Sequence, residues 1–387
     1  MRSSGRALSI ATLFATAVAL VLTACSVTGA GATSASPSSS PRPSAACTQA
    51  SKLAQWSTSR LAAQVLVVPT AFTNLSRQKA LVKQGIGGLI FFGPSAPRDI
   101  GAKIAALNKS AGSVAPLYMA DEEGGVVQRL QSIVGPVPSA RTQAATMSPA
   151  QIKALGTRVG RAMSAAHITV DLAPVLDVDA RPGPSATNPD GTRSYSGVPE
   201  VASKNGLAFA AGLQAGGAIA AVKHFPGLGG SVGNTDAGRG HTLPWSQLQR
   251  VGLRPFTDAI QAHIPVIMVA NASVPGLTTL PASISRSVLV TVLRQQLHFG
   301  GVIITDSLTA GALTADGYPL NRAVVASLNA GADLLLYGST GWNTPSMAVN
   351  ARDAIVSAVA HGQVSRARLL DAVTRVLALK HVKLCTI

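Results

Sequence analysis

The sequence predicts an α/β protein with a single TIM-like (β/α)8 barrel, and two observations lead to this fold class. Eight short apolar runs, rich in β-branched residues, alternate along the chain with stretches of helical spacing. Five of the runs end in charged or amide residues. Eight strands with intervening helices match a (β/α)8 barrel, in which the carboxyl ends of the strands meet at one mouth. A doubly wound sheet has the same alternation, so periodicity by itself leaves both architectures open.

Residues 1–24 have the features of a secretory signal peptide, because two arginines precede a largely apolar run. The next residues, Leu-Thr-Ala-Cys, resemble the lipobox of bacterial lipoproteins. We therefore expect cleavage before Cys25 and lipid attachment to its sulfur, with an ordinary signal peptide as the alternative. Residues 25–46 are mostly Ser, Ala, Gly and Pro and predict a disordered tether. The predicted location is the extracytoplasmic face of the cell membrane.

The remaining residues, 47–387, predict one domain. Hydrophobic residues make up 47% of the 387-residue chain, which is enough for a full core. Cys47 and Cys385 lie at the two ends of this domain, and export places them in an oxidising environment. We expect a disulfide between them, with two free thiols as the alternative. We also expect a monomer.

The net charge of the chain indicates which kinds of partner it binds. A net charge of +16 predicts attraction to anionic surfaces, such as phospholipid headgroups or anionic wall polymers. The sequence has no nucleic-acid-binding motif and few aromatic residues, so we expect no nucleic-acid partner.

The predicted strands show no alternation of polar and apolar residues, which is typical of parallel strands covered on both faces. They lie at residues 64–68, 88–92, 116–120, 169–175, 220–222, 266–270, 301–305 and 333–337. Helical spacing occurs between them, for example at residues 152–163, 200–214, 248–262, 289–297 and 321–329.

Polar residues gather at the carboxyl ends of the predicted strands. The third to seventh strands end in Asp121-Glu122-Glu123, Asp177-Val178-Asp179, Lys223-His224, Asn271 and Asp306, respectively. Burying carboxylates is unfavourable unless they act chemically or are paired. The sequence therefore predicts a functional site at this end of the barrel, centred on residues 220–236, where an apolar strand leads into a glycine-rich loop.

Convergent carboxylates beside a cation and an imidazole suit glycoside hydrolysis. In that reaction one carboxylate attacks or stabilises the anomeric carbon, and a second group protonates the leaving oxygen. A metal site built from Asp and His is the competing use. The chain lacks an H-E-x-x-H spacing, and Lys223 beside His224 would repel a cation. We expect neither a metal nor another cofactor.

Five motifs, in the same order, resemble those of glycoside hydrolase family 3, in its single-domain bacterial β-N-acetylglucosaminidase branch. They are K-H-F-P-G-L-G at 223–229, D-E-E-G-G-V-V-Q-R at 121–129, A-P-V-L-D-V at 173–178, T-R-S-Y at 192–195 and G-V-I-I-T-D-S-L at 301–308. The resemblance covers residues 53–379.

This resemblance implies a TIM-like barrel and a retaining mechanism, with residue roles carried over by motif position. Asp306 would be the nucleophile. The residues that would hold the sugar are Asp121, Arg129, Arg193, Lys223 and His224. Asp177 could equally be a structural carboxylate paired with a neighbouring arginine, and we leave it out of the catalytic set.

The loop after the fifth strand departs from the family pattern. The branch has an Asp-Ser-His segment that supplies the general acid/base, and the ungapped alignment places Asn234-Thr235-Asp236 there. The histidine of P-G-H-G is replaced by Leu228. Asp236 could act as the acid/base itself, provided that burial beside the substrate lets it keep a proton. His241 could instead reach back from the following segment, or the site could bind sugar with little or no turnover.

The predicted function is an exo-acting, retaining glycoside hydrolase, most simply a β-N-acetylhexosaminidase acting on terminal β-linked N-acetylglucosamine in cell-wall or chitin-type fragments. Two alternatives remain open. One is a β-glucosidase of the same family, because the motifs do not reveal which residues contact the 2-substituent. The other is a catalytically weak, glycan-binding envelope lipoprotein.

Overall fold

The computed structural model describes residues 48–93, 95–338 and 344–385. The residues from Cys47 onward form one compact unit. The predicted signal peptide, the tether, Cys25 and Cys47 lie outside the described residues. Cys385 is disulfide-bonded, and its pairing with Cys47 stays a prediction. Within the described ranges, no helix has both the length and the apolar character needed to cross a membrane.

Eight parallel strands form the central sheet, and all eight predicted strands are confirmed. In sheet order they are β10 (Leu335–Leu336), β1 (Leu66–Ala71), β2 (Gly88–Phe92), β3 (Leu117–Ala120), β6 (Val170–Asp171), β7 (Ile219–Phe225), β8 (Val266–Val269) and β9 (Val302–Thr305). A parallel bridge between Ile304 and Leu334 brings the two edges together. The sheet is therefore a barrel rather than the open doubly wound alternative.

Helices surround the barrel, and four of the five predicted helical stretches are confirmed with small changes at their ends, the one at 289–297 as a π-helix. The stretch predicted at 248–262 is instead divided by a turn at 249–253, so that a helix occupies only its second part. The helices before the middle of the chain are α1 (Gln49–Ala54), α2 (Thr58–Gln64), α3 (Lys79–Lys83), α4 (Ile100–Asn108), α5 (Gln131–Val134), α6 (Ala140–Thr146), α7 (Pro149–Ala165) and α8 (Pro199–Ala215). Those that follow are α9 (Trp245–Leu248), α10 (Arg254–Gln261), a π-helix at Ser287–Gln296, α11 (Gly311–Ala315), α12 (Leu320–Ala330), α13 (Thr344–Ala360) and α14 (Arg366–Leu379). A short hairpin of β4 (Glu122–Gly124) and β5 (Val127–Gln128) follows β3.

Two apolar layers hold the barrel together. One fills its interior with inward-facing strand residues such as Met119, Met268 and Ile304. The other lies between the strands and the surrounding helices. Helix α14 crosses the amino-terminal end of the strands, where its Val376 joins the interior cluster. The barrel is therefore closed by apolar packing at one end and open only at the carboxyl ends of its strands, where polar residues line the mouth.

An ion-pair cluster fastens α14 to the barrel. Asp333, which precedes β10, is fully buried. One of its oxygens lies 2.5 Å from Nη2 of Arg294, and the other lies 2.7 Å from Nη2 of Arg368 in α14. The backbone N–H of Ile303 also donates to Asp333, at 2.9 Å. This carboxylate connects β9, β10, α14 and the π-helix.

Replacing Asp333 with alanine should lower the free energy of unfolding by about 3–5 kcal/mol, because two largely buried arginines lose their partner. The matched control is Asp353→Ala, which removes an exposed carboxylate paired with Arg352 and should change stability by about 1 kcal/mol or less. Urea unfolding of both variants measures the difference. Equal losses would contradict a structural role for the buried cluster.

Candidate active site

A single cavity of about 250 Å³ occupies the mouth of the barrel, at the carboxyl ends of the strands. Side chains that follow β3, β7 and β9 line it, together with residues from the loops that cover the barrel. All seven residues predicted as catalytic or substrate-binding lie in its wall: Asp121, Arg129, Arg193, Lys223, His224, Asp236 and Asp306. The seven residues thus share one cavity although the first and last of them, 121 and 306, are 185 positions apart in the sequence.

Lys223 and His224 are consecutive residues of β7, yet both reach the cavity. Successive side chains of a regular strand point to opposite faces. Here the pairing of β7 with β8 shifts register between Val222 and Phe225. Such an irregularity redirects side chains at the end of a strand, and it accounts for the placement of both residues.

The Lys223 ammonium is buried between two carboxylates. Its Nζ lies 2.6 Å from Oδ1 of Asp121 and 2.7 Å from Oε1 of Glu123. Glu123 also accepts two hydrogen bonds from the guanidinium of Arg193, at 2.7 and 2.8 Å. Arg193 in turn donates to the carbonyl of Pro189 at 3.0 Å. Two cations and two anions therefore form one connected network in the wall of the cavity.

Burial and ion pairing shift the pKa values of this network in opposite directions. Burial by itself would lower the pKa of Lys223, but the charges of Asp121 and Glu123 outweigh it and hold that pKa above its usual value. Burial would likewise raise the pKa of Glu123, but Arg193 and Lys223 outweigh it and hold that pKa below its usual range. Both shifts favour the charged forms, so Lys223 and Glu123 present fixed charges in the wall of the cavity.

Glu123 is a site residue that the sequence analysis did not select. It belongs to the Asp-Glu-Glu run after β3, from which only Asp121 was chosen. Its side chain is almost fully buried, and it is the residue that joins Lys223 to Arg193. A glutamate directly before two glycines at a strand end was the available signal, but its partners come from residues 70 and 100 positions away, at Arg193 and Lys223.

Asp177 orients His224. Its Oδ2 lies 2.6 Å from Nδ1 of the imidazole, and its Oδ1 accepts from the backbone N–H of Leu228 at 2.7 Å. The pairing with an arginine that we considered for Asp177 is wrong, because the guanidinium of Arg193 bonds Glu123 and Pro189 instead. Burial raises the pKa of Asp177 to about 7 and lowers the pKa of His224 to about 4. The two groups therefore share one proton across the range between these values.

Three further buried carboxyl groups lie close to this pair or to Glu123. Asp190 is fully buried, and neither of its side-chain oxygens has a hydrogen-bond partner among the described residues. Burial raises its pKa well above the usual value, and the charge of Asp177 adds to the effect. Asp171 accepts from the backbone N–H of Glu122 at 3.0 Å, and burial raises the pKa of both groups. Burial therefore disfavours the charged form of all three acids.

One set of these groups has the composition of a metal site. Single ligand atoms of Asp177, Asp190 and His224 lie within 4.8 Å of one another. Two of them already bond each other, however, and the positive charges of Arg193 and Lys223 both act on His224. A cation would have to compete with that hydrogen bond and with both positive charges, so the set fits a metal poorly.

Asp306 follows β9 and is half-buried at the floor of the cavity. Its Oδ1 accepts from the backbone N–H of Ser307 at 2.7 Å. Burial raises the pKa of Asp306, His224 opposes this effect, and the charge of Asp236 adds to it. Asp306 and Asp236 are thus close enough to interact through their charges. One oxygen of the Asp306 carboxylate accepts the Ser307 N–H, and the carboxylate faces the space that a ligand would fill.

Asp236 lies at the rim of the cavity and is exposed, so the burial that its proposed role requires is absent in this structure. Its loop is held by its backbone: Gly311 N–H donates to the carbonyl of Asp236 at 3.0 Å, and Ala312 N–H donates to that of Thr235 at 2.9 Å. These bonds fix the loop against the start of α11 and leave the Asp236 side chain at the opening.

His241 does not reach the cavity. It is exposed, and its Nδ1 lies 3.1 Å from the carbonyl oxygen of Thr242. Its backbone pairs with Val232 across the base of the loop. The idea that His241 replaces the missing histidine therefore finds no support in this arrangement.

A (β/α)8 barrel whose mouth gathers carboxylates, cations and a buried imidazole around one small cavity has the fold and site of a glycoside hydrolase. Residues 58–379 match the glycosyl hydrolase family 3 N-terminal domain. The β-hexosaminidase LpqI of Mycobacterium tuberculosis is 30% identical over 362 residues, which cover 92% of this chain and 91% of LpqI. The chain belongs to glycoside hydrolase family 3.

Other relatives agree with this assignment. A β-hexosaminidase of Tolumonas auensis is 34% identical over 268 residues, covering 65% of this chain and 75% of that protein. Among solved structures, M. tuberculosis LpqI superposes with a TM-score of 0.77 at 31% identity, covering 86% of this chain and 96% of the other. The β-N-acetylhexosaminidase of Beutenbergia cavernae gives 0.77 at 28% identity, with 85% and 100% covered.

The shared proton of Asp177 and His224 predicts a distinctive pH dependence for Asp177→Asn. In the wild type, the raised pKa of Asp177 makes folding less favourable as pH rises from about 4. The lowered pKa of His224 makes folding more favourable over the same rise in pH, so the two effects on stability offset each other. Asp177→Asn keeps only the effect of His224 on stability. Its stability should fall relative to the wild type by about 1.4 kcal/mol per unit as pH drops below about 6.5.

Urea unfolding at several pH values between neutral and mildly acidic measures this slope. The matched control is the double variant Asp177→Asn/His224→Gln, which removes the histidine as well and should lose the extra slope. If the single variant and the wild type follow parallel curves, the two groups do not share a proton.

Proposed function

We propose that this chain is an exo-acting, retaining β-N-acetylhexosaminidase that removes terminal β-linked N-acetylglucosamine from cell-wall or chitin-type fragments. The observation that carries the proposal is the convergence of all seven predicted residues on one cavity of about 250 Å³. This volume lies below the range of about 300–1,000 Å³ typical of drug-sized ligands. It suits a single sugar ring at the end of a chain, and the relatives named above are β-hexosaminidases.

In the first step of the proposed reaction, a carboxylate oxygen of Asp306 attacks the anomeric carbon. The glycosidic C–O bond breaks, and Asp236 donates a proton to the leaving oxygen. In the second step Asp236 takes a proton from water, the water oxygen attacks the anomeric carbon, and the ester bond to Asp306 breaks. Two displacements retain the configuration of the sugar.

The surroundings of Asp306 suit a nucleophile. The Ser307 N–H holds one oxygen at 2.7 Å, which fixes the orientation of the carboxylate. Lys223 acts electrostatically to lower the pKa of Asp306 against the effect of burial. A carboxylate with few protein partners in a confined site is well placed to stabilise the positive charge that develops on the sugar ring.

The fixed charges of the wall account for sugar binding in this proposal. Asp121 uses one oxygen for Lys223, and its 18% exposed side chain leaves the other available for a sugar hydroxyl. Arg129 and Arg193 border the same space. His224 presents the ring edge that Asp177 does not use. Because these groups are held by each other, the site is organised before the sugar arrives, which reduces the entropic cost of binding.

Two proposals concern the rest of the chain. A relative from Arthroderma benhamiae is described as a secreted glycosyl hydrolase, 32% identical over 310 residues, which supports export of this chain. We propose further that Cys25 carries a lipid anchor, that Cys47 pairs with Cys385, and that the protein acts as a monomer at the outer face of the membrane.

The exposure of Asp236 favours one alternative function. A general acid is expected to lie in a site that excludes water, and this side chain stands at the opening. A glycan-binding lipoprotein with weak turnover would have this arrangement. In the enzyme, ligand binding should draw the loop that carries Asp236 inward. In the binder, this loop should stay where it is.

Hydrolysis of a chromogenic β-N-acetylglucosaminide and of its β-glucoside analogue tests the proposed function. The wild-type protein should release the chromophore faster from the N-acetylglucosaminide, and Asp306→Ala should abolish release because no nucleophile remains. Preference for the glucoside would instead indicate a β-glucosidase. Folded protein without release above the Asp306→Ala background from either substrate would leave only the binding function.

The role of Asp236 predicts a dependence on the leaving group. Asp236→Ala should slow hydrolysis of substrates with a sugar leaving group by about 100- to 10,000-fold, because their departure needs a proton. Nitrophenolate leaves without a proton. Formation of the glycosyl-enzyme from a nitrophenyl substrate should therefore be slowed much less. The matched control is His241→Gln, on the same loop but outside the cavity, which should keep wild-type rates. A similar loss with both leaving groups would contradict the acid/base role.

A further inference from the structure

The chain enters the barrel at the end opposite the active site. The side chain of Gln49, at the start of α1, donates to the carbonyl of Val382 at 2.9 Å and accepts from Leu384 N–H at 2.7 Å. Val382 and Leu384 follow α14, which crosses the amino-terminal ends of the strands. The first described residues, at the start of α1, therefore lie at this amino-terminal face.

One cavity on this face is lined by cations. It measures about 470 Å³ and lies among the loops that lead into β1, β2 and β3. Arg60, Lys83 and Arg352 contribute to its wall, with serine hydroxyls and glycines between them. No carboxylate is among the described residues that line it. Its shape and charge suit an anionic group such as a phosphate.

A second cavity on the same face also lacks carboxylates among its described lining residues. It measures about 730 Å³ and lies beside the starts of β7, β8 and β9. Its polar side chains are those of Arg375, His263, His381, Gln214 and Thr374, and the remainder of the wall is mainly apolar. A surface that combines basic side chains with an apolar recess suits a lipid headgroup and the upper part of its chains.

Carboxylates on the elements of this face neutralise some of its arginines. Asp333 and Asp371 pair with Arg368 and Arg375 of α14, and Asp353 pairs with Arg352. Among the described residues, exposed basic side chains without a bond to another side chain remain on this face. They include Lys83 at the end of α3, Lys109 after α4 and Arg161 near the end of α7.

From these features we propose that the amino-terminal face of the barrel docks on anionic phospholipid headgroups. The inference rests on the exported, membrane-anchored location proposed above but does not depend on hydrolysis. Docking at this face turns the mouth of the barrel away from the membrane. The active site then faces the polymers outside the cell, and the electrostatic attraction of this face orients the barrel on the membrane that holds the anchor.

The test uses residues 26–387, which keep the whole barrel but lack Cys25, so that binding reports the surface and not the lipid. The protein should sediment with phosphatidylcholine vesicles that contain phosphatidylglycerol, and much less with pure phosphatidylcholine, and salt should weaken the binding. The triple variant Lys83→Glu/Lys109→Glu/Arg161→Glu should bind the anionic vesicles roughly 100-fold more weakly, at about fivefold for each lost cation.

The matched control reverses three exposed basic residues near the other end of the barrel, in Arg98→Glu/Lys204→Glu/Arg286→Glu. Arg98 and Arg286 precede helices, Lys204 lies in the first half of α8, and the change in net charge is the same. This control should lose much less affinity. An equal loss in both variants would show that net charge alone drives binding, and it would overturn the proposal.

Two other outcomes would also overturn it: equal binding to neutral and anionic vesicles, or no binding to anionic vesicles at low salt. The chromogenic assay on the same samples keeps the two proposals separate. Activity without vesicle binding would contradict the docking surface alone, and vesicle binding without activity would contradict the hydrolase alone.

Discussion

The buried Lys223 ammonium is the interaction on which the active site depends. A charge of this kind is costly to bury unless its partners compensate for the lost water, and here Asp121 and Glu123 lie at 2.6 and 2.7 Å. Glu123 then requires Arg193, which comes from a different loop. The need to neutralise one strand-end cation thus connects β3, the loop before α8 and β7. The cavity has its shape because these groups hold each other and cannot move separately.

The barrel was predictable because buried parallel strands leave a continuous apolar signal, and all eight runs became strands of the sheet. The site was predictable in part, because polar residues at strand ends must converge once the barrel closes. The partner of Asp177 and the role of Glu123 were not predictable from spacing, since each depends on a contact between segments distant in the chain. The exposure of Asp236 could not be predicted from the sequence either, because the position of its loop depends on backbone bonds to α11, a segment about 75 residues further along the chain.

That backbone docking determines where Asp236 lies. The carbonyls of Thr235 and Asp236 accept N–H groups of Gly311 and Ala312, and a Cβ at Gly311 would lie 2.6 Å from the backbone of Ala237. The loop is therefore located by its main chain and by a glycine that permits close approach. A substitution at position 236 therefore changes the side chain at the rim without moving the loop that carries it. The chemistry of the side chain at position 236 can therefore vary while the loop keeps its place.

The distribution of charge between the two ends of the barrel has two possible causes, and the structure separates them. Helix dipoles favour cations at helix carboxyl ends, which lie at the amino-terminal face of any (β/α)8 barrel. That effect accounts for Lys83 and Lys109, each at the end of a helix. It does not account for Arg60, inside α2, or for Arg352, in the middle of α13. Since these two arginines and Lys83 meet around one cavity, the fold's general electrostatics explain only part of the surface, and the remainder is a property of this chain.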